Sequence, residues 1–467
     1  MKIVDWGIKT TDLFPAMKFA LPLLRAAAVS SAAFGLLVGA NMKSAAAEGT
    51  AAVRGADFLG SIGVNSAIDR RGESVAKTIE CARYLGIRWF RSGIEDCHDV
   101  QTYVDLHRQT GARFSWSPGS GGSDLPRLMG TARELAAADA LLAFEGPNEP
   151  NNWGVTYQGE KGGGQAASWL AVAKLQAALY QAVKNDPALR QYPVWSITEG
   201  GAEKDNVGLQ FLKIPVGANT LLPAGTPFAD AANVHNYIYH PNASGLEDNK
   251  TWKAADPGPD CRVDGLYGEY GLTWAQHYAG YRPEQLAKLP RATTETGVLI
   301  AGSITEEVHA LNLLSLYLDQ FKRGCGHTAV YLLRDRVDEA GNQKFGFYAP
   351  DYTPRKAAIY LHNLTMLLAD TGVLAKPGAL LYSVEPEPVT VHDLLLQKSN
   401  GTFDLVVWGE QLTGTNQITV RLGQARDAVE VYDPTSGTEP VAKYQQVDSV
   451  ALAVSNHPLI IALPQSR

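Results

Sequence analysis

Hydrophobic and polar positions along residues 58–368 follow two alternating patterns, which together predict a repeated strand–helix unit. Apolar and β-branched runs typical of strands occur at eight places: Phe58–Asn65, Ile87–Ser92, Ala112–Ser117, Leu141–Phe144, Val194–Thr198, Asn233–Tyr239, Arg291–Val298 and Thr328–Arg334. Apolar residues at three- and four-residue spacing predict helices at Ser74–Leu85, Val100–Thr110, Leu128–Ala138, Ala166–Asn185, Gln276–Ala287, Glu306–Arg323 and Pro354–Leu368. Because strands that alternate with helices build parallel sheets, this order predicts an α/β fold, a (β/α)8 TIM barrel. A doubly wound open sheet is the alternative, but no GxGxxG follows the first strand.

From about residue 371 the pattern changes to short strands separated by turn-rich segments. The predicted strands are Val391–Gln397, Phe403–Trp408, Gln417–Leu422, Ala428–Tyr432, Val450–Ala453 and Leu459–Leu463. This spacing is typical of a small β-sandwich. We therefore predict a catalytic barrel domain at 48–370 and a β-sandwich domain at 371–467. We expect the sandwich to support the barrel, with sugar binding as the alternative.

The first 47 residues predict an export signal. Lys18 and Arg25 precede the small apolar stretch Ala26–Ala40, and Ala45-Ala46-Ala47 provides a cleavage site before Glu48. The apolar stretch is too short to span a bilayer comfortably, although an uncleaved anchor is the alternative. We therefore expect a secreted or periplasmic protein that does not bind a membrane after the signal is cleaved.

Composition and charge exclude several classes of function. The chain has 467 residues, of which 45% are hydrophobic and 19% charged, as in an ordinary globular protein. Its net charge of −7 and the absence of a basic patch argue against a nucleic-acid partner. The four cysteines show no zinc-ligand spacing, and we expect no metal and no cofactor. Cys81 and Cys97, on either side of one predicted strand, could form a disulfide or remain free.

Two glutamates stand where predicted barrel strands end. The apolar run Leu141–Phe144 stops before Gly146, which leaves Glu149 at the C-terminal mouth of the fourth strand. Glu295 ends the Thr-rich seventh strand. A glycosidase needs one acid to protonate the leaving oxygen and one carboxylate to attack or to activate water. Either glutamate alone is more often a surface residue, but the pair at the catalytic face of a barrel predicts an active site.

Polar residues near these strand ends predict the rest of the site. Glu149 as the acid calls for a raised pKa, which an apolar strand end and a second carboxylate would supply. Glu295 as the nucleophile must stay ionised, and Arg91 and Tyr237 are the candidate donors at the ends of the second and sixth strands. Asn148 carries an amide suited to a sugar hydroxyl.

Several of these polar residues have structural alternatives. Arg91 could instead pair with a structural acid such as Glu95. His235 could contact substrate or the acid pair, or form a hydrogen bond within the core. Glu145 and Glu199 could be structural partners inside the barrel mouth. Aspartates in the insertion after the sixth strand could hold calcium, but their spacing matches no EF-hand, so a solvated loop is favoured: Asp256, Asp260 and Asp264.

Tryptophans close to the strand ends are candidate platforms for sugar rings. Trp116 and Trp153 follow the third and fourth strands, where indole faces could stack on pyranose rings. Trp89 shares a strand face with Arg91 but lies deeper, so we assign it to the core. Trp195 is likewise better explained by buried packing.

The motifs together resemble a known group of enzymes. Asn148-Glu149-Pro150 on the fourth strand, His235-x-Tyr237 on the sixth and the Glu295 turn on the seventh are similar to those of clan A retaining glycoside hydrolases. Within that clan, GVN of the first strand, IRWFRSG of the second and the sandwich most resemble glycoside hydrolase family 39 and its bacterial relatives. The resemblance covers residues 58–467. It implies that Glu149 is the acid/base, that Glu295 is the nucleophile held by Arg91 and Tyr237, and that Asn148 binds the sugar 2-hydroxyl.

The sequence departs from that group at the end of the eighth strand. Many clan members carry a tryptophan there, whereas this chain has Leu333-Arg334-Asp335. The floor of the −1 subsite is therefore not assigned by the resemblance, and Arg334 could meet an acidic sugar.

The leading hypothesis is an exported retaining glycosidase that cleaves O-glycosidic, chiefly β, bonds in a poly- or oligosaccharide. The rivals are a carbohydrate-binding barrel that has lost catalysis and a transglycosidase. The two matched glutamates beside Asn148 count against a pure binding protein. Sugar, linkage, endo or exo action and oligomeric state are not specified by these residues.

Overall fold

The computed structural model describes residues 49–164, 166, 168–198, 212–214, 216, 221–235, 237, 288–302, 304–338, 344–388, 390–409 and 414–464. Its first part consists of short strands and longer helices in alternation. In chain order these are β1 (Thr50–Ala51), β2 (Val53–Arg54), α1 (Gly55–Ser61), β3 (Ile62–Asn65), α2 (Val75–Leu85), β4 (Trp89–Gly93), α3 (Val100–Thr110), β5 (Arg113–Ser117), α4 (Leu125–Ala137), β6 (Leu141–Glu145), β7 (Val155–Tyr157), β8 (Glu160–Gly162), α5 (Leu170–Asn185), β9 (Val194–Trp195), β10 (Ala232–His235), β11 (Arg291–Thr296), α6 (Glu306–Lys322), β12 (Cys325–Val330) and α7 (Lys356–Leu367).

Eight parallel strands form the barrel. They follow the spatial order β10-β11-β12-β3-β4-β5-β6-β9. The ring closes between β9 and β10 through a parallel bridge between Trp195 and Ala231, where the Ser196 N–H donates to the Ala231 carbonyl at 2.9 Å. The predicted TIM barrel is therefore confirmed, and its strand ends meet at one mouth.

The first predicted strand is too long. Gly55–Ser61 is a helix, α1, and pairing begins only at Ile62. The buried residues Gly55, Phe58 and Leu59 of α1 have helical spacing, and Phe58 packs edge-on against Phe321 of α6 at 5.4 Å. That three- and four-residue periodicity was the sequence signal for a helix.

Helix boundaries agree with the capping signals in the sequence. The Asp99 carboxylate accepts from the Gln101 N–H at the start of α3, and Thr305 caps α6 in the same way. Gly86 and Gly111 end α2 and α3 in the left-handed conformation that glycine adopts without strain.

The barrel interior below the mouth is filled by two indoles and small side chains. Trp89 and Trp195 meet edge to face with ring centroids 5.6 Å apart, and both side chains are buried. A Cβ atom on Gly63 would lie 2.2 Å from the Trp89 ring, so only glycine allows the indole to fit there. Alanines from the other strands complete the layer: Ala143, Ala231, Ala292 and Ala329.

The C-terminal strands form the predicted β-sandwich. They are β13 (Ala379–Leu380), β14 (Ser383–Glu385), β15 (Val391–Gln397), β16 (Phe403–Gly409), β17 (Asn416–Tyr432), β18 (Pro440–Val454) and β19 (Leu459–Leu463). The two strands predicted within 417–432 are one long strand, β17, which pairs with β14, β18 and β19. The N-terminal strands also join the sandwich, since β2 pairs with β15 and β1 with β13. Residues 50–54, predicted as part of the barrel domain, thus pair with sandwich strands.

Sandwich and barrel share one hydrophobic core. Leu396 and Trp408 of the sandwich belong to the same buried cluster as Phe58 and Leu361 of the barrel. Polar contacts reinforce this junction. The Lys322 ammonium of α6 pairs with Asp393 of β15 at 2.7 Å. The contacts agree with a supporting role for the sandwich.

Some predictions fall outside the described residues. These are the signal segment at 1–47, Glu199, the helix at Gln276–Ala287 and the aspartates of the insertion. In the described part of the chain, no helix is long and apolar enough to cross a membrane. Cys81, Cys97 and Cys325 are buried and free, so Cys81 and Cys97 form no disulfide.

Candidate active site

Arg91 lies at the centre of the polar groups at the barrel mouth. It is on β4, two residues after the buried Trp89, so its side chain points into the barrel. Its guanidinium donates to both oxygens of Glu145 at 2.8–3.2 Å and to Glu295 Oε1 at 2.5 Å. A further N–H donates to Asn148 Oδ1 at 2.6 Å. Arg91 therefore fixes three side chains from two other strand ends, those of β6 and β11.

The alternative partner of Arg91, Glu95, is engaged elsewhere. Glu95 forms an ion pair with Arg71 and accepts a hydrogen bond from the Ser120 N–H. Arg91 instead pairs with Glu145, which is fully buried and also accepts from Thr294 Oγ1 at 2.9 Å. Glu145 is thus a structural partner, one of the roles considered for it from the sequence.

Glu295 is held from two sides. Arg91 contacts Oε1, and the Tyr237 hydroxyl donates to Oε2 at 2.8 Å. Burial and the nearby charge of Glu295 raise the pKa of Tyr237 well above its ordinary value, so the phenol keeps the proton that it donates. The sequence predicted both donors.

Glu149 lies on a turn with an unusual backbone conformation. Its φ of 36° is in the left-handed region, where side chains other than glycine are uncommon. The turn begins at Gly146, where a Cβ atom would lie 2.2 Å from the Gln176 side chain and 2.7 Å from the Ile197 backbone. The close approach at Gly146 and the turn direct Glu149 over the barrel mouth. Strain of this kind is common at functional sites.

His235 connects the two glutamates. Its Nδ1 lies 2.9 Å from Glu149 Oε1 and 3.5 Å from Glu295 Oε2, while Nε2 lies 3.1 Å from Thr294 Oγ1. The pairing register of β10 and β11 shifts between Val234 and His235, which places His235 beside Glu295. One carboxylate oxygen of Glu149 and one of Glu295 lie within 4.8 Å of each other.

The resting site favours the ionised form of Glu149. Burial alone would raise its pKa, but the hydrogen bond and charge of His235, the Asn152 amide and the charge of Arg91 lower it overall. The prediction of a raised pKa is therefore wrong for the free site. The second carboxylate, Glu295, cannot raise it as expected because Arg91 compensates the charge of Glu295.

A cation is disfavoured in this cluster. Glu149, His235 and Glu295 offer ligand atoms close enough to approach one ion. However, the Arg91 guanidinium already supplies a positive charge at Glu295. Burial alone would lower the pKa of Arg91, but the neighbouring carboxylates hold that pKa above its ordinary value, so Arg91 keeps its charge. A second positive charge there would be repelled.

The two predicted tryptophan platforms differ in position. Trp116 is fully buried on the outer face of β5, packed against Tyr103 of α3, with its indole N–H donating to Thr131 of α4. Its prediction as a sugar platform is wrong because successive strand residues alternate faces, and Ser115 and Ser117 face the barrel interior instead. Trp153 is 54% exposed on the loop that follows Glu149.

The structure adds residues that the sequence analysis did not select. Asn152 Nδ2 donates to Glu149 Oε2 at 2.8 Å. Tyr331 follows the end of β12 and packs edge-on against Tyr237 and Phe345. Aromatic side chains therefore stand near the end of the eighth strand, where the sequence had suggested only Leu333-Arg334-Asp335. Arg334 lies farther along, bonded to the Pro350 carbonyl.

Asn148 is held in an orientation that leaves part of its amide available. Its Oδ1 accepts from Arg91, and its Nδ2 donates to Ser120 Oγ at 3.0 Å. An amide nitrogen carries two hydrogens, so the second remains as a donor.

Comparison with known proteins identifies the fold. The chain matches no protein-family model and no curated protein. Among solved structures, it is similar to a family 39 glycoside hydrolase from Bacteroides cellulosilyticus WH2, with a TM-score of 0.54 and 16% identity over 87% of this chain and 82% of that one. It is also similar to a GH51 arabinofuranosidase from Xanthomonas axonopodis pv. citri (TM-score 0.51, 10% identity, 89% and 98% covered) and to an endo-β1,6-glucanase (0.50, 11%, 90% and 93%). The chain therefore shares the fold of these glycoside hydrolases. The predicted resemblance to family 39 is thus confirmed at the level of the fold.

Proposed function

We propose that this protein is a retaining glycoside hydrolase that cleaves β-linked sugars by double displacement. The observation that carries the proposal is the approach of Glu149 and Glu295 to within 4.8 Å at the mouth of a clan A barrel. Retaining enzymes hold their two carboxyl groups about 5–5.5 Å apart. In inverting enzymes the separation is about 6.5–9.5 Å, because a water must fit between one carboxylate and the sugar.

Glu295 acts as the nucleophile. Arg91 and Tyr237 both donate to it, so it stays ionised and oriented towards the anomeric carbon. Attack forms a bond between a Glu295 oxygen and that carbon while the glycosidic bond breaks. Asn148, oriented by Arg91 and Ser120, donates its remaining amide hydrogen to the sugar 2-hydroxyl.

Glu149 acts as acid and then as base. It protonates the departing oxygen in the first step and removes a proton from the water that releases the sugar in the second. His235 keeps Glu149 in position through Oε1. Trp153, exposed beside Glu149, contributes a stacking surface for the substrate.

The substrate class is a poly- or oligosaccharide. The exposed indole of Trp153 suits stacking on a sugar ring, and the −7 net charge offers no attraction for nucleic acid. We also propose that residues 1–47 direct export to the periplasm or the medium. N-terminal analysis of the exported protein should then find a start near Glu48, whereas an intact N-terminus would contradict export by cleavage.

Product stereochemistry tests the proposal directly. A panel of aryl β-glycosides should yield at least one hydrolysed substrate, and proton NMR should show the β-anomer as the first product, before mutarotation. Glu149→Ala should retain activity on aryl substrates with good leaving groups, and azide should accelerate it and yield a β-glycosyl azide. An α-anomer as the first product would contradict the retaining mechanism. Sugar binding without any turnover across the panel would favour a binding protein.

A further inference from the structure

The two oxygens of the Glu149 carboxylate have different partners. Oε1 contacts His235, which is completely buried, whereas Oε2 accepts a hydrogen bond from the exposed side-chain amide of Asn152 at 2.8 Å. Oε1 therefore faces the buried His235, and Oε2 faces the solvent-exposed side of the turn. If Glu149 is the acid/base, as proposed above, Oε2 is the oxygen that must deliver the proton.

The Asn152 amide and a glycosidic oxygen require opposite hydrogen-bonding roles of Oε2. An amide N–H is a donor and requires Oε2 to accept, which the ionised carboxylate does. A glycosidic oxygen is an acceptor and requires Oε2 to carry a hydrogen. The two partners cannot occupy Oε2 together.

We propose that the leaving group of the substrate displaces the Asn152 amide from Glu149 Oε2, so that occupancy of the leaving-group site converts Glu149 from base to acid. On displacement, Oε2 takes up a proton from water, and that proton passes to the glycosidic oxygen as the bond to the anomeric carbon breaks. After the leaving group departs, Glu149 is a carboxylate again and accepts a proton from the water that attacks the anomeric carbon and releases Glu295. That proton then passes to solvent, which balances the proton taken up in the first step, and Asn152 returns to the ionised Oε2.

The loop is built so that the Asn152 side chain can move while the backbone stays in place. The backbone N–H groups of Asn152 and Trp153 both donate to the Glu149 carbonyl at 2.8 Å. The Gly164 N–H donates to the Pro150 carbonyl at 2.6 Å, and a Cβ on Gly163 would lie 2.3 Å from that carbonyl. Only side-chain torsions of an exposed asparagine need to change.

Trp153 indicates what the leaving group is. Its indole is 54% exposed and adjoins Asn152 on the same fixed turn. An exposed indole on the turn that carries Glu149 suits the apolar face of a second sugar ring. The leaving group is therefore a sugar rather than a small alcohol.

The other groups that act on Glu149 are unchanged by substitution of Asn152. The charged and titratable side chains facing Glu149 come from three other strand ends and its own strand: Arg91, Glu145, His235, Tyr237 and Glu295. The Asn152 amide contributes to the low pKa of Glu149, so its loss should raise that pKa.

A titration of the free protein tests the proposal without requiring turnover. Protein carrying ¹³C-labelled glutamate carboxyl groups is titrated by NMR, and the Glu149 signal is assigned by its loss in Glu149→Gln. Asn152→Ala should raise the Glu149 midpoint by roughly half a pH unit, and Asn152→Asp should raise it further through charge repulsion. Trp153→Ala, on the same turn, should leave the midpoint where it is. An unchanged midpoint in both Asn152 variants would overturn the proposal.

The pH profiles of turnover test the displacement itself. With an oligosaccharide of the sugar found in the panel, whose leaving group is itself a sugar, protonation of the leaving oxygen limits the rate. The alkaline limb of kcat/KM reports the free enzyme and that of kcat reports the complex. Asn152→Ala should move the alkaline limb of kcat/KM to higher pH. The alkaline limb of kcat should stay where it is, since the amide is already displaced in the complex. Equal shifts in both limbs would mean that Asn152 stays on Oε2 throughout, and would overturn displacement. If the panel shows no turnover, the proposed function fails, while the titration still decides the Asn152 contact.

Discussion

Two layers of the barrel interior differ sharply although they lie only two residues apart on the same strands. The lower layer contains Trp89 on β4, Ala143 on β6 and Ala292 on β11. Two residues further on, the upper layer contains the polar side chains Arg91, Glu145 and Thr294. Side chains on one face of a strand repeat every two residues. An advance of two residues along the strand therefore leads from the packed core to the reactive mouth.

The lower layer stabilises the fold through burial and close packing. Trp89 and Trp195 fill the space left by alanines and by Gly63. The upper layer buries charges, which is costly unless each is paired and hydrogen-bonded. Arg91 meets that condition through Glu145, Glu295 and Asn148. The mouth is thus ordered by a charge network, and the layer beneath it by shape.

The largest expected effect comes from breaking the upper layer at its nucleophile. Glu295→Gln should reduce kcat/KM by about 10⁴-fold or more, because the amide cannot attack the anomeric carbon. The free energy of unfolding should change little by comparison, since glutamine keeps the shape of the side chain. Activity assays and thermal melts on one preparation would measure both. Glu80→Gln, at an exposed glutamate paired with Lys77, is the control and should retain activity. Substantial residual activity in Glu295→Gln would show that another group attacks.

Breaking the lower layer should affect stability instead. Trp89→Ala should lower the free energy of unfolding by about 3–5 kcal/mol, since it leaves a cavity between strands and removes the indole bond to the Ser61 carbonyl. The matched control is Trp153→Ala at the mouth, where the indole is 54% exposed. Trp153→Ala should change the free energy of unfolding by no more than about 0.5 kcal/mol. Denaturant unfolding would measure both values, and similar costs would mean that the two layers do not differ as argued.

The contrast between the layers also explains how far the sequence was informative. Period-two patterning and barrel geometry were enough to predict the order of the strands and the two glutamates at their ends. They also predicted the donors Arg91 and Tyr237. Trp116 was misassigned because alternation alone does not say which strand face points inward. Asn152 was missed because it lies in a polar turn without periodicity, and its contact depends on the positive φ of Glu149.

The smallest expected effect concerns His327, a titratable group of the lower layer. Its ring lies 5.3 Å from that of Trp195 and 5.7 Å from that of Trp89, and burial lowers its pKa to about 4. In the unfolded chain its pKa is about 6.5, so the unfolded state binds the proton first as the pH falls. The stabilising contribution of the neutral ring is therefore complete above pH 6.5 and is lost progressively towards pH 4.

His327→Gln removes this proton linkage. Its Tm should fall less steeply than that of the native protein between pH 6.5 and 4.5, by a few degrees, after the two curves are aligned at pH 8. Part of the slope should remain, because burial also lowers the pKa of His309 on α6 to about 4. Identical slopes for the two proteins would mean that His327 is solvated when protonated. The lower layer would then tolerate a charge, as the upper layer does through Arg91, and the distinction between a layer ordered by shape and one ordered by charge would no longer hold.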